Sequence, residues 1–506
     1  MIDQELFPYY RRLKNHLRRT LLSDSLYVLW SYMQHLQFNR EFNRDIEVAW
    51  LYESKDLLGK NRIIPPWKVE VLVKEAILYS SEKISSETLK KWNYMALGAN
   101  KVRSLESKIA KVYVHRSNIL REISRMTYRQ FVWYQNRPNI AQIIKYYKIF
   151  GSPQIAQIIK NKTGLNLKKI YLLGMVLIGN YLKSPALDYP PKIENVDIDD
   201  LNKFLNHFCV DLETMKDCLK SNLEINEKYH YAFNPLREHP LIRMNYFEKD
   251  SLVCPIPTFL FWRFTSGIYY EIYNEKGFGN LFGNSFQKYV GEVLEKGAPK
   301  QKLIKEKKYK IKKKASEENT SDWLLLDKNS ILFIECKAKR IAEGAKSELL
   351  EEKEIDQQLE YAAKFIVQVY KTIKDYLNGY YSKEIPLIKN NIFPLIVTLE
   401  EWYLYGDYMF SKLDKIVKDK METADLPMEW LEVMPYSMCS VDHFEDVVQI
   451  INQVGIEHFM KNKVFDKEKR TWLFDSYMRN NFPEIMEKNV NLFADEATEF
   501  IKGYMK

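Results

Sequence analysis

A chain of 506 residues is too long for one hydrophobic core, and 46% hydrophobic with 28% charged residues indicates a globular protein of two to four domains. Glycine (17) and proline (18) are too scarce for a disordered or fibrous chain and favour a mostly helical fold. The net charge of +9 permits binding to a polyanion without requiring it.

The first part of the chain, residues 1–185, is predicted to be an all-helical domain. Between Asn100 and Phe131, apolar residues recur at helical spacing and predict a buried stripe. The opposite face is basic. Its basic residues are Lys101, Arg103, Lys108, Lys111, Arg116, Arg121 and Arg125. Such a face is either a phosphate-contacting surface or a solvated outer face.

The sequence IAQIIK occurs twice, at residues 140–145 and 155–160, and a third helix is predicted over 167–181. Short helices joined by tight turns fit either a helix-turn-helix that reads DNA or plain bundle packing. Residues 186–200 combine prolines with acidic residues and are predicted to be a linker. Residues 201–280 are expected to be a mixed connecting segment that packs on the domain following it.

The stretch Ser321–Arg340 carries the strongest pattern in the chain. Two apolar runs, Trp323–Leu326 and Ile331–Ile334, flank a polar loop and predict a β-hairpin. If residues 328 and 329 form the loop, cross-strand partners sum to 657, and Asp322 then faces Glu335. Lys337 shares the face of Glu335 because side chains alternate along a strand.

Opposed carboxylates destabilise a sheet unless something binds between them. At about 4 Å and an effective dielectric near 20, two such charges repel by roughly 4 kcal/mol. A divalent cation would turn this repulsion into coordination, and carboxylate oxygens suit Mg²⁺ or Mn²⁺. Asp322 and Glu335 are therefore candidate metal ligands, and Lys337 a candidate stabiliser of charge on a substrate phosphate.

A run of lysines precedes this hairpin and contains a single acid, Glu306. It lies on a predicted strand at 303–312 and its approaches, where a phosphate backbone would pass. The candidate nucleic-acid-binding residues in the run are Lys305, Lys307, Lys308, Lys310, Lys312, Lys313 and Lys314.

Residues 281–440 resemble the PD-(D/E)xK nuclease superfamily, whose core has the order α-β-β-β-α-β. The family aspartate corresponds to Asp322, and its E-x-K motif to Glu335, Cys336 and Lys337. The resemblance implies a restriction-endonuclease-like mixed sheet flanked by helices, a Mg²⁺ or Mn²⁺ cofactor, and the Cys336 backbone carbonyl as a further metal ligand. Residues 441–506 are predicted to be a C-terminal helical extension, so that the chain is α+β or α/β mixed overall.

The chain departs from the family on the first helix, where Gln287 stands at the position of a frequent acidic residue. Glu292, on the same predicted helix, is a candidate substitute as metal ligand. Some members carry a glutamine on the helix after the E-x-K strand. The predicted helix over 345–378 places Gln358 at the edge of its apolar stripe and Gln357 away from it, so Gln358 is the candidate catalytic neighbour.

The resemblance implies a DNA endonuclease, of the kind found in bacterial restriction and phage defence. The alternative is a nuclease fold that has lost activity and serves as a nucleic-acid-binding or scaffolding subunit. The helical N-terminal half is expected to contact nucleic acid, a partner protein or a second copy of the chain. No GxxxxGK[ST] motif is present for binding nucleotide phosphates.

The spacing of the cysteines and the length of the apolar segments predict a cytoplasmic protein without membrane association. The five cysteines are widely spaced and form no CxxC pair, which argues against a disulfide framework and a structural zinc site. The N-terminus has no apolar segment of a signal peptide. The most apolar stretch, residues 171–182, is shorter than the roughly 20 residues that a bilayer requires.

Overall fold

A computed structural model describes residues 3–48, 64–193, 196–311, 317–341, 346, 353–381, 385–404 and 406–505. The chain divides into two compact units, Met1–Lys276 and Gly277–Lys506. The protein is a mixed α/β protein, and each unit carries its own β-sheet. In the described part of the chain, no helix combines the length and the apolar character needed to cross a membrane.

Helices dominate the first unit. They are α1 (Phe7–Leu17), α2 (Leu22–Phe38), α3 (Pro66–Tyr79), α4 (Trp92–Tyr113), α5 (Ile119–Gln130), α6 (Val132–Gln135), α7 (Ile140–Phe150), α8 (Pro153–Thr163), α9 (Leu167–Tyr181), α10 (Ile198–Phe208), α11 (Leu212–Ser221), α12 (Pro257–Phe264) and α13 (Tyr269–Ile272). The strands are β1 (Ala186–Asp188), β2 (Cys209–Asp211), β3 (Leu241–Tyr246) and β4 (Lys249–Val253), in the sheet order β1-β4-β3-β2.

The boundaries predicted within the first unit were wrong at the linker and at the connecting segment. Residues 186–188 of the predicted linker form β1, which pairs antiparallel with β4, because the prolines flank this strand without interrupting it. Residues 201–276 belong to the first unit. Met215, Tyr229 and Phe259 share one core with Tyr10 of α1, so this segment is part of the core of the first unit and not a separate connecting segment.

The predicted apolar stripe from 100 to 131 is divided between two helices that behave differently. Val102, Leu105 and Ile109 of α4 are buried, as expected. In contrast, Ile123 and Met126 of α5 face solvent. Arg125, predicted to lie on the basic outer face, is buried, because internal acceptors hold its guanidinium.

The helices α7, α8 and α9 occupy the region where a helix-turn-helix was one of the two alternatives. Helix α9 packs closely on α12, since a Cβ added at Gly174 would lie 2.5 Å from the ring of Phe264. The middle of α9 carries the partly exposed Leu172, Met175 and Val176, which offer no hydrogen bonds to base edges, while Lys168 and Lys169 at its N-terminal end are exposed. These contacts favour bundle packing.

The second unit contains the predicted hairpin. Its helices are α14 (Phe278–Gly297), α15 (Lys353–Leu377), α16 (Gly406–Thr423), α17 (Trp430–Val433), α18 (Val441–Val454), α19 (Ile456–Val464), α20 (Lys467–Arg470), α21 (Phe474–Asn481), α22 (Pro483–Met486) and α23 (Ala494–Met505). Its strands are β5 (Lys302–Lys305), β6 (Lys308–Lys310), β7 (Glu317–Asn319), β8 (Trp323–Leu326), β9 (Ile331–Lys337), β10 (Ile392–Thr398) and β11 (Ser437–Ser440).

The five-stranded sheet of the second unit has the order β11-β10-β9-β8-β5, and β6 and β7 form a separate two-stranded sheet. Strands β5, β8 and β9 pair antiparallel, whereas β9, β10 and β11 pair parallel, so the sheet is mixed. The apolar runs of the hairpin are buried because helices cover the sheet, with α14 and α15 both in contact with β9. The predicted hairpin register is confirmed, with Trp323 opposite Ile334 and Leu326 opposite Ile331.

The C-terminal segment, predicted to be helical over 441–506, is largely helical over its described residues 441–505, and it completes the second unit and is not an appendage to it. The Tyr289 hydroxyl of α14 donates a 2.7 Å hydrogen bond to Glu445 of α18. The backbone N–H of Ile456 donates to the carboxylate of Asp327, in the hairpin loop, at 2.6 Å. The C-terminal helices therefore support the hairpin from the side of its turn.

Candidate active site

The hairpin brings Asp322 and Glu335 to one end of its two strands. Asp322 directly precedes β8, and Glu335 lies near the end of β9. Extending the observed register by one residue sets Asp322 opposite Glu335. The backbone N–H of Cys336 donates a 2.6 Å hydrogen bond to Oδ2 of Asp322, which holds this carboxylate against β9.

Lys337 and a glutamine of α15 enclose the carboxylate of Glu335. The Lys337 ammonium donates to Oε1 of Glu335 at 2.8 Å, and the Gln368 side-chain amide donates to the same oxygen at 2.8 Å. Lys337 also donates to the amide oxygen of Gln368 at 3.2 Å. The Glu335 side chain is 4% exposed and that of Lys337 is 20% exposed, so only the lysine reaches solvent.

Burial perturbs both carboxyl groups. Burial and the nearby charge of Glu335 raise the pKa of Asp322 to about 7. Burial also raises the pKa of Glu335, although the ammonium of Lys337 opposes the shift. Ionisation of both acids would place two negative charges side by side, and the single ammonium of Lys337 would compensate for only one of them. Perturbed pairs of this kind are typical of functional sites.

Glu306 is a third acid beside these two carboxyl groups. In the sequence it was identified only as the single acid of the lysine run, and its place at the site was not predicted. Its backbone N–H donates to the carbonyl of Asp322 at 2.9 Å, and its charge raises the pKa of Asp322 and of Glu335. The side-chain amide of Gln287 donates to Glu306 at 3.3 Å. The antiparallel register that pairs Lys305 with Trp323 continues to Glu306 and Asp322, so the strand pairing was the signal that could have revealed it.

The glutamine at the site is Gln368 and not Gln358, the predicted catalytic neighbour. Both residues lie on α15, but ten residues separate them, which is about 15 Å along a helix axis. The helix runs from residue 353 to 377, and the turn that reaches Glu335 lies in its second half. Within the described residues, the buried amide oxygen of Gln358 has no hydrogen-bond partner.

Three further predictions concern backbone and peripheral residues. Cys336 contributes its N–H to Asp322, while desolvation raises the pKa of its thiol well above the ordinary value, so the thiol stays protonated. The role of its carbonyl as a metal ligand stays a prediction. Glu292 lies on α14 with its carboxylate 3.9 Å from the Lys288 ammonium, and its role as a ligand likewise stays a prediction.

The lysine run lies beside the site along β5 and β6. Lys305, Lys308 and Lys310 are exposed, and Lys307 is half-buried. The ammonium of Lys310 lies 3.8 Å from Glu317 of the paired strand β7. Lys312, Lys313 and Lys314 lie outside the described residues, so the structural placement of the run covers only its first part.

Within the described residues, no group of three or more histidine, cysteine, aspartate or glutamate side chains has the arrangement of a metal site. The role of Asp322 and Glu335 as metal ligands stays a prediction. Two carboxylates are a sufficient number for Mg²⁺, which commonly keeps several waters.

No family model matches the sequence, and no curated protein matches it either. Among solved structures, the small subunit (R.BspD6I2) of the heterodimeric restriction endonuclease R.BspD6I is similar with a TM-score of 0.22 and 14% identity. The similarity covers 44% of this chain and 97% of that one. A similarity of this size establishes no relationship, so the functional argument rests on the side chains of the site.

Proposed function

We propose that this chain is a metal-dependent nuclease that hydrolyses phosphodiester bonds, with DNA as its substrate. The observation that carries the proposal is the convergence of two buried carboxyl groups, Asp322 and Glu335, beside the ammonium of Lys337. These are the residue types, at the spacing, of the PD-(D/E)xK motif that the sequence resembles. The sheet that carries them has the predicted mixed pairing.

The donor set fits a hard divalent cation. Asp322 and Glu335 supply carboxylate oxygens, which Mg²⁺ and Mn²⁺ prefer, and both carboxyl groups are held in a site that disfavours their negative charge. A bound cation would supply that missing positive charge, polarise a phosphate oxygen and acidify a water molecule. The hydrogen bond from the Cys336 N–H would keep the Asp322 carboxylate oriented as a ligand.

Lys337 is suited to act on the substrate phosphate. The side chain of Lys337 is more exposed than the side chain of Glu335, with which it is paired, and Gln368 contacts both residues. Release of Glu335 from Lys337 would free the carboxylate for the cation and the ammonium for a phosphate oxygen. Gln368 would then keep both groups in place, because its amide can donate to Glu335 and accept from Lys337 at the same time.

The basic strands beside the site favour a polyanionic substrate. Lys305 immediately precedes Glu306, and Lys308 and Lys310 project from β6 into solvent. Lysines so placed can contact phosphates on either side of the scissile bond. A role in restriction or phage defence is what the family resemblance implies for such a nuclease, and it forms part of this proposal.

The direct test is incubation of the purified protein with plasmid, linear duplex and single-stranded substrates, in Mg²⁺ or in EDTA. Cleavage in Mg²⁺ that disappears in EDTA is the expected result. Binding of nucleic acid without cleavage in Mg²⁺ or Mn²⁺ would instead identify the chain as a nucleic-acid-binding scaffold. The absence of both binding and cleavage would contradict both functions.

A further inference from the structure

A cleft of the second unit lies between its sheet and its C-terminal helices. The walls come from β10 and β11, from α16 and from the segment that runs from α19 to α21. Its volume, counted as the space open to the centres of water molecules, is about 20 Å³, which is room for one or two waters, and it is partly open to solvent. The aromatic side chains that line it are Trp402, Phe410, Tyr436, Trp472 and Phe474.

Lys463 enters this cleft, the Lys463 cleft, from α19 as a buried cation. Its side chain is 2% exposed. The ammonium donates to the backbone carbonyls of Lys469 at 2.6 Å and of Arg470 at 2.9 Å. Among the described residues, no carboxylate lies within ion-pair distance of it. A buried ammonium that has only carbonyl partners keeps a charge that an anion could compensate.

Arg470 is the second cation that lines the cleft, and its guanidinium is only partly satisfied. Its Nη2 donates to Asp414 at 3.3 Å. The guanidinium carbon lies 5.1 Å from the ring centroid of Phe410 and 5.7 Å from that of Tyr436. Its Nε is buried, and in the part of the chain that the structure describes it has no hydrogen-bond partner. A buried donor without an acceptor is costly, so Arg470 can engage a further acceptor.

The charges of the cleft favour an anionic ligand. Glu401, the acid that lines it, lies 3.1 Å from Nδ1 of His443. Burial opposes protonation of His443, but the hydrogen bond and the charge of Glu401 raise its pKa, so this pair offsets its own charge. Burial lowers the pKa of Lys463 to about 7, and the positive charge of Arg470 adds to this shift while Glu401 opposes it. An anion near both cations would stabilise both.

We propose that the Lys463 cleft binds a terminal phosphate group, held by Lys463 and Arg470. A phosphate monoester carries about −1.5 to −2 charges near pH 7 and offers three strong acceptor oxygens, which match the two cations. Room for one or two waters suits a small oxyanion, while the rest of the ligand projects through the open side. A phosphodiester within a nucleic-acid chain continues in two directions and fits such a cleft less well. Free phosphate, a mononucleotide and a phosphorylated chain end share the required chemistry.

The Lys463 cleft adjoins the proposed active site without sharing its residues. Thr398, which lines the cleft, is the β10 partner of Lys337. The ring centroid of Phe365 lies 5.0 Å from the Lys337 ammonium and 6.5 Å from the Trp402 ring centroid. A phosphate bound in the cleft would therefore lie close to the proposed site, but its binding requires neither a metal ion nor cleavage.

Calorimetric titration of the full chain in EDTA tests the inference independently of nuclease activity. Inorganic phosphate and thymidine 5′-monophosphate should bind, and thymidine should not. Lys463→Met should weaken binding by about 10- to 100-fold, the effect of losing a charge-assisted hydrogen bond. Arg470→Gln should also weaken it and tests the cleft from its other cation if Lys463→Met does not fold. Lys469→Met is the matched control, because Lys469 pairs with Asp466 outside the cleft, and it should bind like the wild type.

Oligonucleotides in EDTA separate the sources of the phosphate. If a terminal phosphate tightens oligonucleotide binding, and Lys463→Met abolishes that gain, the cleft takes phosphorylated chain ends. If thymidine 5′-monophosphate binds but the terminal phosphate of an oligonucleotide adds nothing, the ligand is a free phosphate or nucleotide. The inference is overturned if phosphate and thymidine 5′-monophosphate fail to bind at about 10 mM and the terminal phosphate has no effect. Binding that neither Lys463→Met nor Arg470→Gln weakens would also overturn it.

Discussion

Replacing Asp322, a proposed metal ligand, with asparagine is expected to stabilise the metal-free protein and to weaken metal binding. The physical reason is the raised pKa of Asp322, which burial and the charge of Glu335 bring to about 7 from an ordinary value of 3.8. Asparagine keeps the shape of the side chain and an oxygen that can accept the hydrogen bond from the Cys336 N–H. The substitution removes the unfavourable charge and replaces the second carboxylate oxygen with an amide N–H₂ group.

The magnitude follows from linkage between protonation and folding. Each pKa unit is worth about 1.4 kcal/mol, so an ionised Asp322 lowers the free energy of unfolding at pH 8 by an amount on the order of a few kcal/mol. Because the folded pKa is the higher one, the folded state binds the extra proton, and stability is lost as pH rises from about 4 to about 7. The advantage of Asp322→Asn should therefore be complete above pH 7 and disappear towards pH 4.

The assay is urea unfolding in EDTA. Unfolding is monitored by pulsed hydrogen exchange of peptides that cover residues 323–337. These residues form β8, the loop and β9, so the peptides report on the second unit and not on the first. At pH 8 the midpoint of Asp322→Asn should exceed that of the wild type. Saturating Mg²⁺ should raise the wild-type midpoint and leave the variant unchanged, since a ligand stabilises only the state that binds it.

Two results would refute this reasoning. If Asp322→Asn is no more stable than the wild type at pH 8 in EDTA, burial and Glu335 do not disfavour the carboxylate as the geometry implies. If Mg²⁺ stabilises both proteins equally, the cation binds at another location. Asp327→Asn is the matched control, because Asp327 lies at the opposite end of the same hairpin and binds the backbone N–H of Ile456.

Three further predictions concern the surroundings of the site. Gln368→Leu should reduce cleavage and alter its pH profile, because Glu335 and Lys337 lose a shared partner, whereas Gln358→Leu should leave both unchanged in the same assay. Glu306→Gln should lower the pKa of Asp322, measured by NMR titration in EDTA, because a nearby negative charge is removed. Neutralising a lysine that binds a phosphate of duplex DNA should reduce the log–log salt slope of affinity by about 0.9, and an unchanged slope would assign the lysines to a solvated surface. The lysines to neutralise are Lys305, Lys307, Lys308 and Lys310.

The hairpin could be predicted from the sequence because every determinant of it is local. Two apolar runs and a short polar loop fix the strands, and the loop length fixes the register. The observed loop closes with a 2.9 Å hydrogen bond from the Asp327 N–H to the Ser330 carbonyl. The juxtaposition of Asp322 with Glu335 follows directly from that register, which is why the acidic pair was found without a structure.

The features that were missed depend on residues distant in the chain. Gln368 could not be chosen over Gln358, because periodicity does not reveal which turn of a 25-residue helix lies over Glu335. The apolar stripe of α5 was predicted to be buried, but it faces solvent because Arg125 is held inside the unit. One acceptor of Arg125 is the carbonyl of Glu227, 102 residues away in the chain, and the local pattern does not reveal it. Apolar periodicity establishes that a helix is amphipathic, and only tertiary contacts decide which of its faces is buried.

The most direct test of the proposed site separates metal binding from cleavage in Lys337→Ala. This substitution leaves Asp322 and Glu335 in place and makes their surroundings more negative. Mn²⁺ affinity, measured by calorimetry, should be maintained or increased, while single-turnover cleavage should fall by a factor of ~10² or more. In Asp322→Asn, by contrast, affinity and cleavage should fall together. A wild-type protein that cleaves nucleic acid, with both variants cleaving at the same rate, would place the activity elsewhere and contradict this account.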